Sequence, residues 1–377
     1  MSLNFGIHFA QLYTREGLLA LDALFLQKLA AAEPALCEQL VKSRLEPESL
    51  TAKQESTLLI AVGPFLEDFI AGLFQIEAQV DALIATHSEL APLYVIKRKF
   101  VKRTAAKMID ANEAATFDGV QLRADMLACL GGSFDELRFA QLISAWLEDE
   151  SAHASQLELA RRYSAWAFHT KAGQAAHPDG VLFRGVRDMA AEDLVPTAQK
   201  SEHQGYGTYT VAVEHIRRRK GFSVTDHGTD LRGALEQVDY CILCHVQGKD
   251  SCSTGLKEKQ GKDAPALRGK AAYKKSVFNV VQAGCPLSEK ISEFHTLKGS
   301  GNPVAALAMI VVDNPMVAAT GHRICNDCMK SCIYQKQEPV NIPQVETRTV
   351  KDVLALPFGL EIYSLLTRWN PLNLRRP

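Results

Sequence analysis

The first 170 residues carry apolar positions at the spacing of helices. From Glu16 to Ala32, Leu18, Leu19, Leu21, Leu24, Phe25 and Leu29 recur at i, i+3 and i+4, the stripe that an amphipathic helix buries. The stretch Thr51–Ile84 repeats the pattern through Leu58, Leu59, Val62, Phe65, Phe69, Leu73, Ile76, Val80 and Leu83, with a break expected near Gly63–Pro64. Pro92 marks the head of a further helical segment running toward Ala115. Asp135–Thr170 reads as one long helix carrying Phe139, Leu142, Ile143, Trp146, Leu157 and Trp166. An all-helical bundle is the expectation for residues 1–170.

The pattern then changes. Residues 171–240 are rich in glycine and polar residues; Tyr206, Tyr209 and Val211 could pair as short strands, but the composition points to irregular connecting structure. From 241 to 350 cysteines on loops alternate with short helical stretches, Pro286–Lys298 and Pro303–Val312 among them. A tail, 351–377, ends in a basic, proline-flanked segment. The expected class is mainly α: an N-terminal helical bundle followed by a cysteine-bearing domain.

Composition adds limits. The chain has 377 residues, 47% hydrophobic and 23% charged, with a formal net charge of -1. That balance is globular, and favours neither nucleic acid nor an acidic membrane as partner. The basic runs Lys97–Lys99 and Arg217–Lys220 read as solvated faces. No basic-then-apolar leader precedes a small-residue cleavage site, and Leu18–Leu29 is too short and too interrupted by Asp22 and Lys28 to span a bilayer. A reducing cytoplasmic compartment is therefore expected, in which clustered cysteines point to metal or redox chemistry rather than disulfides.

Cys37 and Cys129 stand alone in apolar surroundings; the other seven cysteines fall between 241 and 332. They are Cys241-Ile-Leu-Cys244, Cys252, Cys285 in Gly-Cys-Pro, Cys325-Asn-Asp-Cys328 and Cys332. Soft thiolates in this number suit iron–sulfur clusters. Structural zinc is the alternative, but a four-thiolate zinc site leaves three of the seven unexplained. Cys241-x-x-Cys244-His245 also fits the haem-attachment pattern, which requires export. Glu150-x-x-His153 lacks the second unit of a di-iron bundle and reads as a solvated face.

The segment Gly284-Cys-Pro-Leu-Ser-Glu-Lys-Ile-Ser-Glu-Phe294 resembles a landmark of the flavoprotein family that includes the glutamate synthase small subunit and dihydropyrimidine dehydrogenase. The resemblance continues through Gly301-Asn-Pro, Asn314–Pro315, Gly321-His-Arg-Ile-Cys325 and Glu338-Pro-Val-Asn-Ile342, covering about 241–350. It implies an α-helical ferredoxin-like domain with two [4Fe–4S] clusters that exchanges electrons with an FAD/NAD(P)H module, downstream or on a partner chain. By the same resemblance Cys241, Cys244, Cys252 and Cys332 would hold one cluster. Cys285, Cys325 and Cys328 would hold the other, with Glu346, or less well Gln344, as its fourth ligand. The chain departs from the pattern in the Cys244–Cys252 spacing, in Cys325-Asn, and in a lysine-rich insertion (Lys257, Lys259, Lys262, Lys270, Lys274, Lys275) that reads as a surface loop. The module is expected to act in a larger oxidoreductase rather than alone, without nucleic-acid or membrane partners, and with homo-oligomerisation open.

Overall fold

The computed structural model describes residues 3–178, 180–186, 197–203, 205–211, 213, 216, 218–224, 226–258, 273–276, 279–322 and 324–375. It is mainly helical. The helices of eight residues or more are α1 (Arg15–Ala32), α2 (Pro34–Leu45), α3 (Ala52–Phe74), α4 (Glu77–Ile96), α5 (Gly119–Leu130), α6 (Glu136–Glu148), α7 (Ala154–His169), α8 (Leu231–Tyr240), α9 (Ile291–Gly299), α10 (Pro303–Asp313), α11 (Ile342–Leu354) and α12 (Gly359–Leu366). A π-helical stretch, Lys97–Ala105, continues α4. Two strands, β1 (Thr197–His203) and β2 (Tyr206–Val211), pair antiparallel. Tyr206, Tyr209 and Val211 lie on β2, where irregular connecting structure was the expectation, and β2 is exposed along its length.

Two cores divide the helices. In the first, α1 and α3 pack with α9, α10, α11 and α12, so residues near both ends of the chain share one apolar cluster with Cys252, Cys328 and Cys332. Its centre is α10: nine consecutive residues, Pro303–Val311, are buried, as expected of a helix apolar on every side. The second core joins α4–α7 with Val181–Phe183 and Leu235, and buries Trp146 and Trp166.

Sequence signals explain most boundaries. Thr51 and Gln54 form a capping box at the start of α3, and Asp135 accepts from Arg138 N at 2.7 Å at the start of α6. Three boundaries differ from expectation. Helix α3 runs through Gly63–Pro64 and ends at Gln75 in the left-handed region (φ 57°). Pro92 lies inside α4. The long Asp135–Thr170 helix is split, because Asp149 accepts hydrogen bonds from Ser151 Oγ (2.8 Å) and Ala152 N (3.1 Å) and closes a turn. Glu150 sits in that turn and His153 at the head of α7.

By length and composition α3 could cross a membrane, but its apolar residues are built into the first core. Lys97 is not on a solvated face: it is buried, 3.5 Å from Glu236 and 4.0 Å from Asp239. Of the insertion lysines, Lys259, Lys262 and Lys270 lie outside the described residues, as does Arg217.

Candidate functional site

The seven clustered cysteines occupy loops and helix ends around the first core. Cys241 ends α8, Cys244 opens a 3-10 turn, and Cys252 sits in the single turn Ser251–Thr254. Cys285 follows Gly284, Cys328 lies in the turn Asp327–Lys330, and Cys332 follows it. Each of the three cysteine loops contains a non-glycine residue in the left-handed region: Leu243 (φ 52°), Ser288 (φ 55°) and Asn326 (φ 56°). This conformation costs about 1–3 kcal/mol and turns successive amides to one side, which makes a concave nest for negative charge.

Cys241, Cys244, Cys252 and Cys332 line one narrow cavity of about 10 Å³, room for about one water molecule; Ser292, Ile333, Tyr334 and Val340 complete much of its wall. Backbone amides face the sulfurs. Leu243 N donates to Cys241 Sγ at 3.4 Å, and the amides of Tyr334, Val340 and Ile333 act on Cys332. Burial pushes the Cys241 thiol up to about 12 and the Cys244 thiol to about 11. Burial and the adjacent Asp250 hold the Cys252 thiol protonated, and it donates to Asp250 Oδ1 at 3.0 Å. Ser292 is fully buried on this wall and its hydroxyl has no partner. Tyr334 stacks on Tyr240 with centroids 4.7 Å apart, and Tyr240 donates to Glu338 O at 2.8 Å.

The other residues gather separately. Cys328 lies in the field of Glu346, Cys285 and Glu289, and Glu346 in that of Glu289 and Cys325. Glu346 is buried on α11; burial first, then the Glu289 carboxylate hydrogen-bonded to it, raises it well above the carboxylate range. Gln344 points elsewhere, into a cavity beside α8. Cys325 is exposed. The lone Cys37 donates to Leu26 O at 3.4 Å, and Cys129 packs against the second core.

Sequence reasoning missed Ser292, Asp250, Glu289 and Tyr334. Glu289 and Ser292 stand inside the quoted Gly284–Phe294 segment, but neither is a soft ligand and only the fold brings them to the thiols.

A family model described as the RP005 N-terminal alpha-helical domain matches residues 3–75. The Rickettsia prowazekii (strain Madrid E) protein RP005, described as uncharacterized, is 28% identical over 308 residues, covering 79% of this chain and 98% of RP005. RP006 of the same organism, likewise described, is 71% identical over 62 residues, covering 16% of this chain and 9% of RP006. The chain thus spans nearly all of one relative and a small part of the other. No solved structure matches.

These findings correct two expectations. The resemblance to the glutamate synthase small subunit and dihydropyrimidine dehydrogenase does not hold: the similarity found is to the RP005 family, and no iron–sulfur or ferredoxin family matches. Nor do the similar proteins support an iron–sulfur protein, an oxidoreductase or a flavoprotein partner: the matches are to RP005 and RP006, described as uncharacterized. Among the described residues no group of three or more His, Cys, Asp or Glu side chains is arranged to hold a metal ion. At Cys241, Cys244, Cys252 and Cys332 the thiols line the walls of a narrow cavity, Cys252 and Cys332 buried, Cys241 and Cys244 half-buried, and Cys252 bonded to Asp250.

Proposed function

We propose that the cysteine-bearing segment, 241–350, is an electron-transfer module, a helical ferredoxin-like domain in which the two groups are loading sites for two [4Fe–4S] clusters. The observation that carries this reading is the shared cavity of Cys241, Cys244, Cys252 and Cys332, with the unpartnered Ser292 hydroxyl on its wall. The left-handed residues and inward amides beside the cysteines suit the negative charge of thiolates and sulfide. Cys285, Cys325, Cys328 and Glu346 form the second, mixed set.

Structural zinc is the alternative, with four thiolates at about 2.3 Å from one ion. A cubane spreads its ligands further. When bound, such a group accepts and returns single electrons; the chain's own part is to supply thiols, aim amides and exclude water. The electrons would pass to or from an FAD/NAD(P)H module of the same or a partner chain, in the cytoplasm.

Anaerobic reconstitution with iron and sulfide tests the reading. The expected result is brown protein carrying iron and acid-labile sulfide for two clusters, halved by Cys332→Ser. Colourless protein with stoichiometric zinc would overturn it.

A further inference from the structure

Between Cys252 and Cys285 three short pieces of chain fold back on one another. Lys257 bridges Tyr273 and Lys275 bridges Val281, both antiparallel. Backbone bonds tie their neighbours together: Lys274 N donates to Leu256 O at 2.8 Å, Leu256 N to Gln282 O at 3.0 Å, and Gln282 N to Lys274 O at 2.9 Å. Gln282 is buried, and its Nε2 donates to Lys330 O at 2.9 Å. This small ladder is therefore anchored close to Cys252, to Cys285 and to the turn that leads into Cys332.

Residues opposite each other in such a bridge point to the same side, and so do residues two apart on one strand. Lys257, Tyr273, Lys275 and Val281 thus share one side. All four are exposed, Tyr273 at 37% and Val281 at 51%. The Tyr273 ring is seated against Gly255, where a Cβ would stand 2.6 Å from its Cε1. Lys274 is exposed beside them, and Glu258 is the one acid in the described parts of these three pieces. Three ammonium groups against one carboxylate leave this surface positive. An apolar centre with a charged rim, carried on a fixed backbone, is the make-up of a small docking surface, and its sign calls for an acidic partner. A nucleic-acid site would lie in a broadly basic protein, whereas the net charge here is -1. Val281 is four residues from Cys285, so the two Cα atoms are at most about 14 Å apart.

We propose that this side of the ladder docks an acidic protein that exchanges electrons with the cysteine groups. Carboxylates of the partner meet Lys257 and Lys275, and an apolar side chain of the partner packs on Tyr273 and Val281. The partner's redox role rests on the electron-transfer reading above; the docking itself does not.

The probe is a random copolymer of glutamate and tyrosine, an acidic chain that also carries apolar side chains. Polyglutamate, single-stranded DNA and phosphatidylglycerol vesicles are measured beside it, on the metal-free full chain and again after reconstitution with iron and sulfide. The copolymer is expected to bind about ten-fold more tightly than any of the other three, and to weaken about ten-fold or more between about 0.05 M and about 0.3 M salt. Val281→Ser should erase its advantage over polyglutamate. Lys257→Ser combined with Lys275→Ser should weaken both polymers about ten-fold, with unfolding midpoints unchanged because these side chains are exposed. A carbodiimide, which joins an amine to a carboxylate with loss of water, should link the copolymer to Lys257 or Lys275. Docking is overturned if the copolymer does not bind, if DNA or vesicles match it, or if the variants bind as wild type does. Reconstituted protein that stays colourless yet binds the copolymer would overturn the redox role alone.

Discussion

The Cys285 amide donates to the Cys252 carbonyl oxygen at 2.8 Å, so the two cysteine groups are stitched together through the backbone. A second stitch lies beside it: Gly284 N donates to Ser331 Oγ at 3.0 Å, one residue before Cys332. Gly284 makes both possible. It has φ +85°, and a Cβ there would stand 2.5 Å from Gly255 N and 2.6 Å from Ser253 O.

Gly284→Ala should therefore destabilise the protein by more than strain alone. Gly132 supplies the comparison, because its φ is +102° and nothing lies within 4 Å of its would-be Cβ. Gly132→Ala is expected to cost about 1 kcal/mol and Gly284→Ala about 3 kcal/mol or more, since backbone cannot yield as a flexible side chain can. Equal losses in chemical denaturation would show that the Gly284 loop relaxes freely.

Removing the Ser292 hydroxyl should have the opposite sign. It is buried without a partner, and deleting an unsatisfied buried group is neutral or stabilising, by up to about 1–3 kcal/mol. Ser292→Ala in metal-free protein should raise the unfolding midpoint or leave it unchanged, while lowering iron retention after reconstitution. A clear fall in the metal-free midpoint would mean that the hydroxyl is already bonded.

Lys298 is fully buried and pairs with Asp352, which also receives Arg348 on α11. Asp352→Asn would strand an ammonium inside the first core. Breaking one partner of a buried pair costs about 3–5 kcal/mol, far more than removing both. Denaturation of Asp352→Asn, Lys298→Met and the double variant checks this: the double variant should be the more stable relative to the sum of the singles.

How much of this was legible in the chain follows from the range of the interactions. Capping residues such as Thr51 and apolar stripes such as Leu21–Phe25–Leu29 act within a turn or two, and they mark the helices. The splitting of the 135–170 segment was also local, but it rests on Asp149 bonding its own turn, which an apolar stripe does not reveal. That residues 3–80 share a core with 291–374 was not legible, because no local pattern pairs Gly63 with Leu297, whose side chain comes within 2.8 Å of a Cβ at that glycine. At the candidate site the cysteines announced themselves by type and spacing. Asp250, Ser292 and Tyr334 are ordinary residues made particular by position alone. The short landmarks around Cys285 suggested a family that no match supports; the similarity found is to RP005.

Glu67 offers a pH test of the first core. It is 1% exposed inside α3; its Oε2 accepts from Ala305 N at 2.9 Å, and its Oε1 has no partner. Burial, offset in part by that amide, raises its carboxyl from 4.5 to about 8. The folded protein therefore keeps a proton there that the unfolded chain releases above pH 4.5. Between those values the native state binds more protons, so this residue's contribution to stability is full below pH 4.5 and is lost as pH rises through about 8. The slope is about 1.4 kcal/mol per pH unit for a single fully linked group. Glu67→Gln keeps the shape and a donor but cannot ionise. Wild type should lose stability relative to Glu67→Gln steadily from pH 5 to 8, with the difference levelling above about 8. The buried histidines His87 and His177 (lowered to about 4) and His295 (to about 3) work the other way below pH 6.5, but they are common to both proteins and cancel in the difference. A flat difference across that range would mean that water reaches Glu67 in the folded core and lets it ionise as it does in the unfolded chain.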